Sequence, residues 1–243
     1  MRGALFYIRD VIMWKSLLKL SATLVLSVSY MANAGVVVES TRYLYKEGAR
    51  EISAQYENKD DTPYLMKSWI EPQEGSSNSY FMVTPPLFRL EAKQRNTVRI
   101  FPNAYISNAP KDRDSLYFFN IMSIPPSNDS AEGDNTLQLA VRHRMRLIYR
   151  PKAIQGINID DEVKNLEWKK NDRTITLKNP TPFFIYFKSV QINSKEFMND
   201  IPHIGPYSTQ DYKLPFSVSG TQVQWRIATE HGGMGSINTS SIR

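Results

Sequence analysis

The sequence of 243 residues contains no cysteine. This absence excludes disulfide bonds, thiol catalysis and cysteine metal sites. A chain without disulfides must be held together by its hydrophobic cores, and this one is long enough to form them. Only three histidines are present, His143, His203 and His231, and their spacing is not that of a metal site.

Motifs of catalysis are also lacking. There is no glycine-rich phosphate loop. Ser115 and Ser208 do not lie in the context of a nucleophile elbow, and the histidines are not flanked by the paired carboxylates of a hydrolase. The sequence therefore predicts a protein that is not an enzyme and that requires no cofactor or metal.

The N-terminal segment has the pattern of an export signal. Lys15 and Lys19 flank an apolar run that ends at Ala32-Asn-Ala34, a small-x-small cleavage pattern. The run is too short, and too interrupted by serine, to span a bilayer as a mature helix, so an uncleaved membrane anchor is the weaker alternative. We predict a signal peptide over residues 1–34, cleavage after Ala34 and export.

Loss of this segment changes the charge balance. The whole chain has a formal net charge of +6, and residues 1–34 contain four basic and one acidic side chain, so the remaining 209 residues carry +3. A small surplus spread over that length predicts no binding of nucleic acid. Met13 begins a complete signal by itself, so the sequence leaves open whether the protein starts at Met1 or Met13.

Beyond the signal the sequence has the pattern of an all-β protein. Short segments rich in β-branched and aromatic residues recur between turn signals. The predicted strands of the first half are Val36–Tyr45, Glu51–Tyr56, Tyr64–Ile70, Phe81–Thr84, Leu87–Leu90, Thr97–Phe101, Leu116–Ile121 and Leu137–Tyr149. Those of the second half are Val163–Trp168, Thr174–Lys178, Phe183–Val190, Asp211–Pro215 and Val223–Thr229.

A break at Arg150–Gly156 separates the two series, because a strand ends there in proline and the chain turns polar. The length and the strand pattern predict two immunoglobulin-like β-sandwich domains, over residues 35–153 and 154–243. The tail from Gly232 is rich in glycine, serine and asparagine and is predicted to be frayed.

The predicted strand Leu137–Tyr149 and the residue that follows it alternate between two kinds of side chain. Leu137, Leu139 and Val141 lie on one side, whereas the arginines lie on the other. Arginine is expensive to bury, so the segment is predicted to be an edge strand. Either the arginines only protect this edge from aggregation, or the free edge has a binding function. The segment alone leaves both interpretations open.

Several segments, in their order and spacing, resemble the periplasmic pilus chaperones of Gram-negative bacteria, the PapD-like immunoglobulin-fold family. The resemblance spans essentially all of the chain after residue 34 and is strongest over residues 36–151. The segments that carry it are Ser40–Arg42, Pro63–Ile70, Phe81–Leu90, Val98–Ile100, Asp112–Asn120, Ile124–Pro126, Leu147–Pro151, Asn179–Pro182 and Ile204–Ser208.

The resemblance implies a function in the periplasm. Two β-sandwiches arranged as a boomerang would bind pilus subunits in the cleft between them and pass them to an outer-membrane usher. The subunit lacks its last strand, and the chaperone lends an edge strand, as in chaperone–pilin donor-strand complementation. Leu137, Leu139 and Val141 would then fill an apolar groove of the subunit. The loop Ser127–Asn135 is short, which resembles the short-loop branch that serves rod-like pili.

The resemblance also implies two sets of charged residues. Arg42 and Arg146 would together anchor the terminal carboxylate of the subunit, with Arg144 as the alternative second anchor. The family usually has lysine where Arg146 stands. Arg150, Asp114 and Glu230 would form an ion network that fixes the angle between the domains.

A second interpretation of the same features is a secreted two-domain immunoglobulin-like adhesin or receptor. It accounts for the signal and the sandwiches, but not for the pair Arg42 and Arg146 or for a bare apolar edge. An open donor edge also allows a self-capping dimer of two chains.

Overall fold

A computed structural model describes residues 35–73, 79–126, 139–197, 200–214, 217, 219–230 and 232–243. The predicted signal peptide, its cleavage site at Ala34, the loop Ser127–Asn135, Leu137 and His231 lie outside the described residues. Within the described ranges, no helix is both long enough and apolar enough to cross a membrane.

The described chain consists mainly of β-strands. The first nine are β1 (Val36–Val38), β2 (Arg42–Lys46), β3 (Ile52–Asn58), β4 (Tyr64–Pro72), β5 (Phe81–Thr84), β6 (Leu87–Leu90), β7 (Arg95–Pro102), β8 (Ser115–Ile124) and β9 (Val141–Arg150). The next eight are β10 (Glu167–Asn171), β11 (Thr174–Asn179), β12 (Ile185–Ile192), β13 (Lys195–Glu196), β14 (His203–Ile204), β15 (Ser208–Lys213), β16 (Gln222–Ile227) and β17 (Asn238–Ser241). The helical elements are one α-helical turn, α1 (Ile159–Glu162), and 3₁₀ turns at Ala104–Asn108, Lys152–Ile154 and Val163–Asn165.

The first nine strands form two sheets that face each other. One sheet has the order β1-β3-β7-β5 and the other has the order β2-β9-β8-β4-β6. Alternate side chains of each sheet point inward, as expected for strands with one buried face. Tyr56 and Ile100 from the first sheet and Met66, Phe119 and Leu147 from the second belong to the same fully buried core.

The remaining strands form a second sandwich with its own core. One sheet has the order β10-β11-β15, and the other has the order β13-β12-β16-β17 with β14 also paired to β12. Trp168 of the first sheet packs against Trp225 of the second, with ring centroids 5.4 Å apart. The prediction of an all-β protein with two immunoglobulin-like sandwiches is confirmed.

A third apolar cluster joins the two sandwiches. Leu116 and Ile148 come from the outer face of the β8/β9 pair, whereas Phe184, Tyr186 and Ala228 come from the second sandwich. The segment from Phe183 to Phe187 is therefore buried on both faces, because Phe183, Ile185 and Phe187 contribute to the second core.

Three expectations about the elements are wrong. The segment Val36–Tyr45 is not one strand, because β1 pairs with β3 in one sheet and β2 pairs with β9 in the other. Residues 163–165 form a 3₁₀ turn directly after α1, and the strand begins only at Glu167. The tail is not frayed: β17 pairs with β16, and Ile242 is buried in the second core.

Candidate functional site

The site is built along one side of β9, which is open over half its length. On one side, β9 pairs with β8 from Val141 to Tyr149. On the other side, β2 pairs with it in parallel, but only from Arg146 to Arg150. Within the described residues, Val141–Met145 therefore has no strand partner on the β2 side. The expectation of an edge strand is correct for this half and wrong for the half that β2 covers.

Apolar side chains become exposed along this open half. Met145 and Leu147 lie in the first core, whereas Val141 is 52% exposed and Leu139 is 67% exposed. Val141, Met145 and Leu147 share one face of β9 because the side chains of a strand alternate, and Leu139 lies two residues before Val141, just ahead of the strand. The face that fills the core at one end of β9 is thus bare at the other end. Leu137, the third predicted member of this face, lies outside the described residues.

The backbone of the open half presents hydrogen-bonding groups to a further strand. The N–H of Arg146 donates to the carbonyl oxygen of Thr41 at 3.3 Å, which shows that it points toward β2 and away from β8. Backbone groups alternate in direction along a strand, so the N–H groups of Arg142 and Arg144 point the same way. In this region β2 is absent, and these donors lie on the open edge.

Arg42 and Arg146 meet where the open half ends. They are direct partners in the parallel pairing of β2 with β9, so their side chains leave the sheet on the same face. The guanidinium carbons of Arg42 and Arg146 lie 4.6 Å and 4.3 Å from the centroid of the Tyr186 ring in the second sandwich. Arg42 also donates to the carbonyl oxygen of Thr229 at 3.3 Å.

Neither of these two guanidinium groups has a carboxylate partner among the described residues. Burial and the neighbouring charge of Arg146 lower the pKa of Arg42. Two cations held side by side without a counter-ion are unfavourable, because each is partly desolvated and repels the other. Such a pair is a ready binding site for an anion, and its two forked donors suit a carboxylate.

Arg144, the alternative second anchor, has a different environment. Its guanidinium lies 3.6 Å from the centroid of the Phe118 ring and 3.7 Å from a carboxylate oxygen of Glu71. Arg142 donates to the same carboxylate at 2.7 Å. Glu71 therefore partly neutralises both arginines, whereas Arg42 and Arg146 remain uncompensated.

The structure also brings Arg150, Asp114 and Glu230 together. Arg150 donates twice to the carboxylate of Asp114, at 3.0 Å and 3.1 Å, and also contacts Glu230 of the second sandwich. The side chains of Arg150 and Asp114 are 6% and 0% exposed. Burial raises the pKa of Asp114, although Arg150 opposes this effect. The backbone N–H of Asp114 donates to Pro182 at 2.9 Å, which adds a neutral contact between the two sandwiches.

Two residues of this region have no counterpart in the sequence-based predictions. Tyr186 lies under both uncompensated arginines, and His203 stacks on it with ring centroids 5.4 Å apart. The sequence indicates only that Tyr186 belongs to a predicted strand, because its neighbours Arg146 and Arg42 are 40 and 144 positions away. Within the described ranges, no group of three histidine, aspartate or glutamate side chains is placed to bind a metal.

Comparison with protein families gives two matches that together span most of the chain. Residues 35–155 match the PapD N-terminal domain of pili and flagellar-assembly chaperones. Residues 161–239 match the C-terminal domain of the pili assembly chaperone PapD.

Individual proteins give the same result. The chaperone protein FocC of Escherichia coli is 33% identical over 204 residues, which cover 83% of this chain and 87% of FocC. Among solved structures, the Salmonella enterica SafA pilin in complex with the SafB chaperone matches with a TM-score of 0.76 and 29% identity, over 85% of this chain and 96% of the matched chain. The E. coli chaperone DraB matches with a TM-score of 0.75 and 30% identity, over 86% and 97%. With its fold, its open edge and these relatives, the chain belongs to the PapD-like family of pilus assembly chaperones.

Proposed function

We propose that this protein is a periplasmic chaperone that stabilises pilus subunits by donor-strand complementation and delivers them to an outer-membrane usher. The observation that carries the proposal is the open half of β9, which ends at two uncompensated arginines. The similarity to the structure of the SafB chaperone, solved in complex with the SafA pilin, supports the same class of partner.

The geometry of β2 and β9 favours one direction for the added strand. A strand that pairs with Val141–Met145 lies in line with β2, on the same side of β9. If it runs parallel to β9, as β2 does, its C-terminus reaches the start of β2, where Arg42 and Arg146 meet. A terminal carboxylate would there receive charge-assisted hydrogen bonds from both guanidinium groups.

The exposed side chains supply the remaining affinity. Leu139 is 67% exposed and Val141 is 52% exposed in the free chain, so burial of either residue in a subunit groove would contribute about 1–2 kcal/mol. Main-chain hydrogen bonds along the open edge are independent of the subunit sequence. Apolar contacts and main-chain pairing thus provide affinity, and the arginines fix the register.

The same proposal includes processing and domain division. Residues 1–34 are removed as a signal peptide, and the mature chain consists of domains 35–153 and 154–243. The relatives are chaperones, which favours this function over an adhesin or receptor. The network of Arg150, Asp114 and Glu230 fixes the angle between the domains and is not part of the binding edge.

The decisive experiment is copurification of the protein with a fimbrial subunit, after coexpression and periplasmic extraction. Leu139→Glu is expected to abolish copurification, because a carboxylate entering an apolar groove costs several kcal/mol. Val37→Glu is the matched control, since Val37 is an exposed apolar residue on β1 at an edge of the other sheet. Equal loss in both variants, or unfolding of the Leu139→Glu protein, would contradict the assignment of the binding edge.

A further inference from the structure

The close approach of the two anchor arginines requires a physical explanation. Arg42 and Arg146 carry like charges side by side, and in the free chain nothing among the described residues neutralises them. Flexible arginine side chains in this situation separate, because repulsion and hydration both favour separation. Separation would cost affinity, since the carboxylate would have to gather the two groups again on binding.

A carboxylate of the chain itself would hold the two groups in place, but it would also cancel their charge and compete with the subunit. The electron-rich face of an aromatic ring attracts a guanidinium without carrying a net charge. Tyr186 supplies such a ring, with both guanidinium carbons within 4.6 Å of its centroid. The ring can thus order the pair and leave its charge available.

The ring itself is held firmly. Tyr186 is 4% exposed and belongs to the apolar cluster between the sandwiches with Leu116, Ile148 and Phe184. His203 is its direct cross-strand partner on β14, and the two rings stack at an interplanar angle of 15°. Burial and the charge of Arg146 lower the pKa of His203, so the imidazole is neutral near pH 7 and adds no third positive charge.

The hydroxyl of Tyr186 has no hydrogen-bond partner among the described residues, although it is buried. A buried hydroxyl without a partner lowers the stability of a fold by about 1–3 kcal/mol. The hydroxyl of Tyr186 therefore does not stabilise the protein. The aromatic face is the part of the side chain that the surrounding contacts use.

We propose that Tyr186, supported by His203, is a positioning residue that preorganises Arg42 and Arg146 to recognise the free terminal carboxylate of the bound strand. This inference rests on the proposed function and extends it to the second domain, which thereby contributes to the recognition of a strand that pairs with the first. If the inference is correct, loss of the ring weakens recognition of the terminal carboxylate and leaves the pairing of the rest of the strand unchanged.

The test measures binding of two synthetic peptides to the mature chain by fluorescence anisotropy. Both peptides alternate valine and threonine; one ends in a free carboxylate and the other in an amide. The dissociation constant of the amide peptide divided by that of the carboxylate peptide reports recognition of the carboxylate. Main-chain pairing and apolar contacts are common to both peptides and cancel in this ratio.

Tyr186→Met, which keeps most of the volume, and Tyr186→Leu are each expected to reduce this ratio about tenfold, because they remove the cation–π contacts of two arginines. Tyr186→Phe is expected to keep the ratio, since it retains the ring. Tyr207→Leu is the matched control: Tyr207 also lies under an arginine of the first sandwich, Arg113, at 5.0 Å, but that arginine is paired with Asp112.

An unchanged ratio in a folded Tyr186→Met or Tyr186→Leu protein would overturn the inference while leaving the anchor intact. An equal loss in Tyr207→Leu would also overturn it, because the effect would then come from the arrangement of the sandwiches. Equal binding of the two peptides by the unaltered chain would overturn the anchor role of Arg42 and Arg146, and the inference with it.

Discussion

Replacement of Arg42 or Arg146 by alanine is expected to abolish subunit capture while leaving the chain folded. In the free protein, each substitution removes a cation–π contact with Tyr186, which contributes about 0.5–2 kcal/mol. It also removes the repulsion between two adjacent guanidinium groups, which together with the larger effect of burial lowers the pKa of Arg42. The two effects oppose each other, so the free energy of unfolding should change by about 1 kcal/mol or less.

The effect on the complex is larger. With one arginine missing, the subunit carboxylate remains desolvated and half-paired, a loss of about 2–5 kcal/mol by analogy with charged pairs at interfaces. This corresponds to an increase of the dissociation constant by about thirtyfold to several thousandfold. Because both arginines hold the same group, the double variant should be little weaker than either single variant. Arg146→Lys should retain most of the binding, since it keeps the charge.

Copurification of a fimbrial subunit from periplasm measures the capture, and urea denaturation of each purified variant measures the stability. A normal subunit yield from either alanine variant would refute the shared anchor. Additive losses in the double variant would show that the two arginines bind different groups. Loss of capture in Arg144→Ala, with normal yield from Arg146→Ala, would place the second anchor at Arg144 in spite of its contact with Glu71.

Three further outcomes are expected. Arg144→Pro should prevent subunit capture but permit folding, because it removes a backbone donor from the open edge. His143→Pro should instead destabilise the first sandwich, as measured by urea denaturation, because it interrupts the pairing of β9 with β8. Asp114→Ala should lower the free energy of unfolding by about 3–5 kcal/mol, since it leaves the buried Arg150 without its bidentate partner; a smaller loss than in Glu230→Ala, whose carboxylate is more exposed, would contradict this. Burial and the charge of Arg146 lower the pKa of His203 in the folded chain. The free energy of unfolding should therefore fall as the pH decreases below about 6.5, because the unfolded chain binds the proton at a higher pH than the folded chain does. The His203→Asn protein should show a shallower fall over the same pH range.

The fold was predictable from local sequence because strand alternation and turn residues are local signals. Phe81–Thr84 and Leu87–Leu90 were predicted with the bounds that the structure shows. The division of the first strand was not predictable in the same way. The hydroxyl of Ser40 bonds to the backbone of Arg42 and supports a break there, but the two halves separate because they find partners in different sheets. Such partners are distant in sequence.

The candidate site was predictable only in part. Arg42 and Arg146 came from the resemblance, since nothing local marks them among the other arginines. The contact with Tyr186 depends on how the two sandwiches pack, and so it required the structure. The tail was misjudged because its polar composition conceals one residue, Ile242, that has a place in the core, and because β16 has an edge to which β17 can pair.

The short parallel strand β2 has a consequence for the length of any guest strand. Because β2 occupies the same side of β9, a guest can slide back toward Leu139 but cannot advance past Thr41. Each backward step of two residues would carry its end about 7 Å from the two guanidinium groups, beyond hydrogen-bonding distance. If the anchor at Arg42 and Arg146 is correct, the register of the pairing would be set by the last residue of the guest, and a subunit with a truncated or extended C-terminus would pair in a shifted register. In the proposed complex β2 would thus act as a physical stop that fixes the position of the guest strand along β9.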